Sequence, residues 1–275
     1  MSVTSQTSKG VDHPIRYSSN AGTHHYADEA TAVGETYLDT IIDAIVNHPR
    51  SQQTAIGPSE MGQECRRAIL HRLNGDRPPR RADVPWKPTI GTAGHNWLED
   101  VFNTVSAETG SQPGRYLTEE TVTVGTVGFQ EIDGSTDLYD TWGKTVIDHK
   151  FVGKSTLQKY RAHGPSAQYR GQAHLYGKGW SDDGWQVDMV MIAFLPREGE
   201  LTDTYLWSEP YNPRLAWEVL QRTEQLEQLR RSLGLEAALA LYEPCTERFC
   251  DWCNTGTRFE RRAPASTTAE LFANA

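Results

Sequence analysis

The chain has 275 residues, a formal net charge of −9 at pH 7 and 37% hydrophobic residues. That length suits one large domain or two small ones. The acidic balance argues against a protein that coats nucleic acid through bulk positive charge, although it permits a local basic groove. No apolar run approaches the roughly eighteen residues that a membrane-spanning helix needs. The polar stretch 1–20 lacks the apolar core of a secretory signal, so we expect a cytoplasmic protein with reduced thiols.

The first third of the chain is predicted to be mostly helical. Residues 1–30 are polar and aperiodic, so we expect a flexible N-terminal tail. Apolar residues at helical spacing predict a helix over 34–47. Ser59 is a candidate N-cap of a second helix, which carries Cys65. After a proline-rich loop, a third helix is predicted over 89–107.

From about residue 118, the spacing of apolar residues changes from that of helices to the alternation of strands. The predicted elements are strands over 118–127, 132–139 and 145–152, a helix over 165–179 with Pro165 in its first turn, strands over 187–195 and 202–207, a long helix over 213–232 capped by Asn212, and a short helix. This order predicts an α/β fold whose mixed sheet is flanked by helices. We expect one domain over 31–257, followed by a flexible tail over 258–275. Glycine-rich phosphate-binding motifs are missing from the sequence, so a nucleotide cofactor has no support.

Four cysteines carry the most information in this chain. Cys65 stands alone, whereas Cys245, Cys250 and Cys253 are spaced Cys-x4-Cys-x2-Cys near the other end. In a reducing compartment, four cysteines favour a metal or cluster site over disulfides. A site that used all four would join the two ends of the fold.

A second pattern, Asp148-His149-Lys150, lies on the predicted strand 145–152. Side chains alternate across a strand, so Asp148 and Lys150 project from one face and His149 from the other. A carboxylate can hold a divalent cation, and a nearby ammonium can orient or activate the attacking water in phosphodiester hydrolysis. Taken alone, the triplet is better explained as an edge-strand ion pair.

Asp137 strengthens the catalytic interpretation. If the strands on either side of the Asp140–Gly143 turn form a hairpin, Asp137 and Asp148 are equally far from its centre and face each other. Facing carboxylates lie roughly 5 Å apart at Cβ and repel unless a cation lies between them. A four-residue loop fits the sequence better than a two-residue turn with Trp142, and it keeps this register. A slip of one residue would destroy the arrangement.

Two helices supply further candidates. His95 and Glu99 share a helix face, and the imidazole is a suitable ligand for Mn²⁺. Gln172 and Tyr176 are also one turn apart and can hydrogen-bond substrate or the lysine. In isolation, a capped or solvent-facing histidine explains His95 equally well, and ordinary interface polar residues explain Gln172 and Tyr176 better. The candidate phosphate-contacting surface consists of Lys150, Lys154, Lys159, Arg161 and Arg170.

Together these motifs resemble the RecB-like branch of the PD-(D/E)XK nucleases. In that family's order, the chain contains Gly91-x3-His95-x3-Glu99, Gly134-x2-Asp137, Asp148-x-Lys150 and Gln172-x3-Tyr176. The resemblance spans roughly residues 59–253. It implies a restriction-endonuclease-like core and a Mg²⁺- or Mn²⁺-dependent DNA exonuclease that acts on single strands or DNA ends in phage or prokaryotic DNA processing.

The resemblance also implies a role for each matched residue. His95, Asp137, Asp148 and the main-chain carbonyl of His149 would bind one or two divalent ions. Lys150 would position the attacking water. Gln172 and Tyr176 would orient the DNA or the lysine.

Some members of this branch hold a [4Fe–4S] cluster through one cysteine before the nuclease core and three after it. They include the CRISPR-adaptation exonuclease, its phage relatives and AddB-type nucleases. Cys65 and the trio resemble that layout, which implies a cluster-bound C-terminal subregion. The trio departs from the usual Cys-x2-Cys-x5-Cys spacing, so zinc is the alternative.

DNA is the implied partner, together with other recombination or adaptation proteins, and no membrane is involved. Two other functions stay open at this point. One is a nuclease-like module that binds DNA ends or partner proteins without cutting them. The other is a redox protein that uses the cluster for electron transfer, although no flavin or nicotinamide motif supports it.

Overall fold

The computed structural model describes residues 24–47, 54–78, 86–110, 114–247 and 250–254. The chain forms two compact units, residues 1–52 and 53–275. The described part of the first unit is one helix, α1 (His24–Val46). This helix begins inside the segment predicted as a tail and continues through the predicted helix. Residues 1–23 and the predicted C-terminal tail, 258–275, lie outside the described residues.

A five-stranded mixed sheet forms the centre of the second unit. Its strands are β1 (Tyr116–Val127), β2 (Gln130–Asp140), β3 (Thr145–Val152), β4 (Met189–Pro196) and β5 (Tyr205–Pro210). The strands lie side by side in chain order. The β3–β4 pair is parallel, and the other neighbours are antiparallel. The predicted α/β fold with a mixed sheet is therefore confirmed.

Seven helices of this unit lie within the described ranges. They are α2 (Pro58–Met61), α3 (Arg66–Leu73), α4 (Trp86–Thr109), α5 (Lys154–His163), α6 (Ala167–Asp182), α7 (Pro213–Leu233) and α8 (Leu235–Ala240). The cap predicted for α7 is confirmed, because the Asn212 side chain accepts hydrogen bonds from the N–H groups of Arg214 and Leu215. None of the helices in the part of the chain described here is long and apolar enough to cross a membrane.

Several elements differ from the sequence prediction. Two helices replace the single helix expected to start at Ser59. Helix α2 ends before Gly62, and α3 begins after its N-cap residue, Cys65. The Cys65 sulfur accepts a hydrogen bond from the N–H of Ala68 and caps α3. Pro165 precedes α6, whose cap is Ser166. The last strand starts only at residue 205, after a short 3-10 turn. Helix α5 was not predicted.

Helix α6 is the most deeply buried helix, and it packs against β1, β3 and β4. Its close approach depends on glycine: a Cβ at Gly179 would lie 2.5 Å from a methyl carbon of Val122. Trp180 of this helix stacks on Tyr139, with ring centroids 4.5 Å apart. Helix α4 packs against β1, β2 and β3. The two helices contact alternate residues of β3, so they lie on opposite faces of that strand.

Candidate active site and cysteine site

A four-residue loop, Thr141–Lys144, joins β2 to β3 and sets their register. Asp140 organises this loop, because its Oδ1 accepts hydrogen bonds from the N–H groups of Trp142 at 3.0 Å and Gly143 at 3.1 Å. Its Oδ2 lies 2.9 Å from an Arg115 guanidinium nitrogen. The side chain of Asp140 thus provides the turn's hydrogen bonds, which explains why the loop has the length predicted from the sequence.

The β2–β3 ladder starts at this loop and ends with Leu138 facing Ile147. The register is the predicted one, and its next position would place Asp137 opposite Asp148. The strands separate there instead. The Oδ2 atom of Asp137 accepts a hydrogen bond from the His149 N–H at 2.6 Å. A side-chain oxygen therefore takes the place of a strand carbonyl, and the sheet opens where the candidate residues lie.

Helix α4 brings His95 to this opening. Its Nδ1 lies 3.2 Å from Oδ1 of Asp137. Burial lowers the pKa of His95, but the Asp137 hydrogen bond and charge outweigh burial, and the net pKa is raised. Burial raises the pKa of Asp137, yet the bond to His95 and the charge of Lys150 hold it below its ordinary value. The preceding residue allows this approach, because a Cβ at Gly94 would lie 2.4 Å from the ring of Phe151.

The imidazole of His149 is the unexpected member of the group. It is buried and lies nearly parallel to the ring of Phe102, with centroids 5.9 Å apart. Burial lowers the pKa of His149 to about 4, so the ring is neutral at pH 7 and can act as a ligand. Ligand atoms of His95, Asp137 and His149 all lie within 4.8 Å of one another. Two imidazole nitrogens and a carboxylate could hold a divalent transition-metal ion.

Asp148 and Lys150 form a buried ion pair beside this group. The Lys150 Nζ donates a hydrogen bond to Oδ1 of Asp148 at 2.8 Å and lies 2.6 Å from Oδ2. Burial raises the pKa of Asp148 to about 6, against the opposing charge of the lysine. Burial lowers the pKa of Lys150, but Asp148 and Asp137 outweigh burial and raise it. Lys150 is therefore protonated. Asp148 is outside the three-residue group, and its role as a ligand stays a prediction.

Gln172 and Tyr176 lie on α6, on the Asp148 side of β3. The Gln172 Nε2 donates a hydrogen bond to the Tyr176 hydroxyl at 3.2 Å. The Gln172 Oε1 is buried and has no hydrogen-bond partner among the described residues. Gly134 of β2 lets the Tyr176 ring pack closely against the strand, because a Cβ at residue 134 would lie 2.7 Å from that ring. This close approach is the physical reason for glycine three residues before Asp137.

Glu119 is a neighbour of the site that the sequence did not single out. Thr118 faces Leu138, so Glu119 lies opposite Asp137 in the β1–β2 register. Its φ of 50° is in the left-handed region, which a side chain other than that of glycine rarely adopts. Its carboxylate accepts a hydrogen bond from the Ser135 hydroxyl at 2.7 Å. Burial, followed by the charge of Asp137, raises the pKa of Glu119. The register could have revealed this position.

The predicted phosphate-contacting residues are scattered over strand β3, which carries Lys150, and two helices. Lys154, Lys159 and Arg161 are exposed on α5. Arg161 donates a hydrogen bond to the backbone of Asp203. Arg170 belongs to α6 and pairs with Glu209 through its Nη2 at 2.8 Å. Their contact with phosphate stays a prediction.

The four cysteines come together, as the sequence predicted. The Cys65 sulfur lies 3.6 Å from that of Cys253 and 3.7 Å from that of Cys250, and all four sulfurs, including that of Cys245, lie within 4.8 Å of one another. Bonds of about 2.3 Å to one tetrahedral ion place sulfurs about 3.8 Å apart. Four thiols also suit a [4Fe–4S] cluster, which would need wider spacing because each thiolate binds a different iron atom.

Other contacts attach the C-terminal segment to α3. The Arg67 Nη1 donates hydrogen bonds to the carbonyls of Leu239 at 2.7 Å and Tyr242 at 3.2 Å. His71 stacks on Trp252, with ring centroids 4.2 Å apart and planes 5° from parallel. The cysteine site is therefore part of a larger docking surface between α3 and the chain end.

No family model matches the chain, and no curated protein matches its sequence. Among solved structures, it resembles SSO0001 at 16% identity and TM-score 0.46, covering 86% of this chain and 98% of that one. It also resembles an alkaline exonuclease from Laribacter hongkongensis at 13% identity and TM-score 0.43, covering 70% and 93%. It resembles the same exonuclease in complex with dAMP at 15% identity and TM-score 0.40, covering 70% of this chain and 92% of that one. Likeness at this level does not assign a function.

Proposed function

We propose that the protein is a metal-dependent DNA exonuclease of the RecB-like PD-(D/E)XK type. It would hydrolyse phosphodiester bonds in single-stranded DNA or at DNA ends, in phage or prokaryotic DNA processing. The observation that carries this proposal is the convergence of His95, Asp137, Asp148 and Lys150 where two central strands separate. Burying so many ionisable groups is costly for stability, and groups with strongly perturbed pKa values cluster at functional sites.

His95, Asp137 and His149 would hold one divalent ion, Mn²⁺ or Mg²⁺. The nuclease resemblance adds Asp148 to the ligands. A bound ion would supply Lewis-acid polarisation of a phosphoryl oxygen. Because two of the three grouped ligands are imidazoles, we expect Mn²⁺ to support activity better than Mg²⁺, which prefers oxygen ligands.

The side chains around the ion site would orient the reaction. Lys150 is protonated, so its ammonium would donate a hydrogen bond to the attacking water and offset negative charge on the phosphate, without accepting the proton. Asp148 would keep the ammonium in place. The unpaired Oε1 of Gln172 would accept a hydrogen bond from DNA or from Lys150, and Tyr176 would hold that amide.

The cysteine site would hold a structural metal centre that attaches the C-terminal segment to α3. The family resemblance supports a [4Fe–4S] cluster, whereas the short sulfur–sulfur distances support a single zinc ion. Anaerobic purification followed by metal and sulfide analysis separates these outcomes. Iron with inorganic sulfide and a broad visible absorbance would identify the cluster. Zinc without visible absorbance would identify the single ion.

The nuclease proposal is tested with end-labelled single- and double-stranded oligonucleotides. We expect the wild-type protein to shorten them with Mn²⁺ and to stop when EDTA is added. Lys150→Ala should lower the rate at least about a thousandfold while the protein stays folded. Lys178→Ala is the matched control, because Lys178 also pairs with an aspartate, Asp182, but at the surface. Its activity should equal that of the wild type.

Two results would contradict the proposal. Undiminished cleavage by Lys150→Ala would show that Lys150 takes no part in the reaction. DNA binding without any cleavage in Mn²⁺ or Mg²⁺ would instead favour the second function, a module that binds DNA ends and recruits recombination or adaptation proteins.

A further inference from the structure

The ammonium group of Lys150 is held from two sides. On one side is the carboxylate of Asp148. On the other is the face of the Tyr169 ring, whose centroid lies 5.1 Å from the lysine Nζ. Tyr169 is in the first turn of α6 and precedes Gln172 by three residues, so both side chains lie on the same side of the helix. The nuclease motifs do not include this tyrosine.

Aromatic rings attract cations to their negative faces, and removal of water strengthens this attraction. The Lys150 side chain is only 17% exposed, so little water competes for its ammonium. The carboxylate of Asp148 has two proposed tasks, to pair with Lys150 and to bind the divalent ion. A carboxylate shared with a divalent cation attracts the lysine less strongly. The ring contact does not weaken in this way when the ion binds.

The Tyr169 ring is itself held by other aromatic side chains. It packs at a tilt against Tyr160 and Phe194, with ring centroids 5.9 Å and 6.3 Å apart. Tyr160 in turn stacks on Phe194 at 4.4 Å. Phe194 lies beside Lys150 in the parallel β3–β4 register. The position of the ring is therefore fixed by the packing of α5, α6 and β4 and not by the ion site.

We propose that Tyr169 is a positioning residue for the catalytic lysine. Its ring keeps the Lys150 ammonium directed at the attacking water once a divalent ion engages Asp148. The proposal rests on the nuclease function proposed above. Because the ring provides the contact, phenylalanine should replace tyrosine with little loss, and an aliphatic side chain should not.

The test compares Tyr169→Phe with Tyr169→Leu in Mn²⁺-dependent cleavage of a labelled oligonucleotide. We expect kcat to stay within about twofold of wild type for phenylalanine and to fall about tenfold for leucine, with KM unchanged in both. Tyr205→Leu is the matched control, because the Tyr205 ring stacks on the same Phe194 at 5.9 Å. That variant should keep its kcat, which separates positioning from a general loss of aromatic packing.

A second measurement does not depend on cleavage. The rate at which Lys150 is methylated by formaldehyde and a hydride reductant, followed by mass spectrometry, reports how firmly its amine is held. This rate should rise several-fold in Tyr169→Leu and stay unchanged in Tyr169→Phe. If wild type cleaves DNA and the leucine variant has wild-type kcat, the positioning role is overturned and the nuclease stands. If wild type does not cleave, the nuclease proposal fails, and an unchanged methylation rate shows that the ring does not hold the amine either.

Discussion

The two candidate sites differ in how the chain assembles them. The first lies inside the packed core, and Asp137, Asp148 and Lys150 come from two strands joined by one short loop. The second connects sulfurs 188 residues apart and is partly exposed. Packing and hydrogen bonds already hold the first site in place, so loss of the ion proposed there should affect chemistry. The second depends on docking of the C-terminal segment against α3, so loss of the metal centre proposed there should affect stability.

The largest expected effect is the loss of cleavage when Asp137 is replaced. Asp137→Asn keeps an oxygen that can accept the His149 N–H but removes the negative charge. We expect cleavage to fall at least about a thousandfold while the melting temperature changes little. Asp137→Ala should also be destabilised, by about 1–3 kcal/mol, because it leaves the buried N–H of His149 without its acceptor. Equal melting temperatures for the two variants would contradict the strand-opening role of this carboxylate.

Cys250→Ser tests whether the cysteine site affects stability and not cleavage. The variant should lose its metal and at least about 3 kcal/mol of unfolding free energy, because an ion that binds only the folded state stabilises it. Cleavage measured well below the melting temperature should stay within a few-fold of wild type. Thermal unfolding, metal content and the nuclease assay check this, with the exposed Glu243→Gln as control. Complete loss of cleavage in a folded Cys250→Ser protein would mean that the two sites are coupled.

Gly94→Ala should disturb the first site through packing alone. Its added methyl group would push α4 away from Phe151 and move His95, at a cost of about 1–3 kcal/mol and about tenfold in rate. Gly91→Ala lies on the same helix but has no neighbouring atom within 4 Å of the added Cβ. It should be neutral or stabilising by up to about 1 kcal/mol. Unfolding by urea and the nuclease assay distinguish the two; equal behaviour would contradict the close α4–β3 contact.

The pH dependence of ion binding tests whether Asp148 is a ligand. With its pKa raised to about 6, Asp148 gains a proton below pH 6, so the affinity for Mn²⁺ should fall by up to about tenfold per pH unit there. Calorimetric titration at pH 7, 6 and 5 measures this. Protonation of His95, whose pKa is raised, also opposes binding in this range, so Asp148→Asn should reduce the pH dependence without removing it. An affinity that stays constant down to pH 5 would contradict a ligand role for Asp148.

Asp148 and His149 should contribute opposite pH dependences to the stability of the ion-free protein between about pH 6 and 4. The raised pKa of Asp148 means that the folded state binds the extra proton between about pH 6 and 4, so its contribution grows as the pH falls. The pKa of His149, lowered to about 4, has the opposite sign, because the unfolded state binds the proton first. Thermal unfolding of wild type and Asp148→Asn in EDTA at pH 6, 5 and 4 checks this. Without the Asp148 contribution, the variant should lose stability relative to wild type as the pH falls.

The sequence predicted those parts of the site that depend on local periodicity. The β2–β3 register followed from the loop length and the alternation of the strands, and the helix partners followed from one-turn spacing. The His149 imidazole was missed because strand alternation directed attention to the other face of β3. Glu119 was missed because its place opposite Asp137 follows from the β1–β2 register, which shifts by one residue at an irregularity between Thr123 and Gly125. Helix α5 was not predicted because its basic residues were interpreted as part of the phosphate-contacting surface.

The hydrogen bond from the His149 N–H to Asp137 has an evolutionary consequence. Position 137 serves the architecture of the sheet as well as any reaction, since an oxygen there is needed where β2 and β3 diverge. A descendant that lost the proposed metal chemistry would still need a side-chain oxygen at position 137, so alanine would remain unfavourable there. Asparagine, which keeps the oxygen but not the charge, would be the expected residue at position 137 in such a descendant.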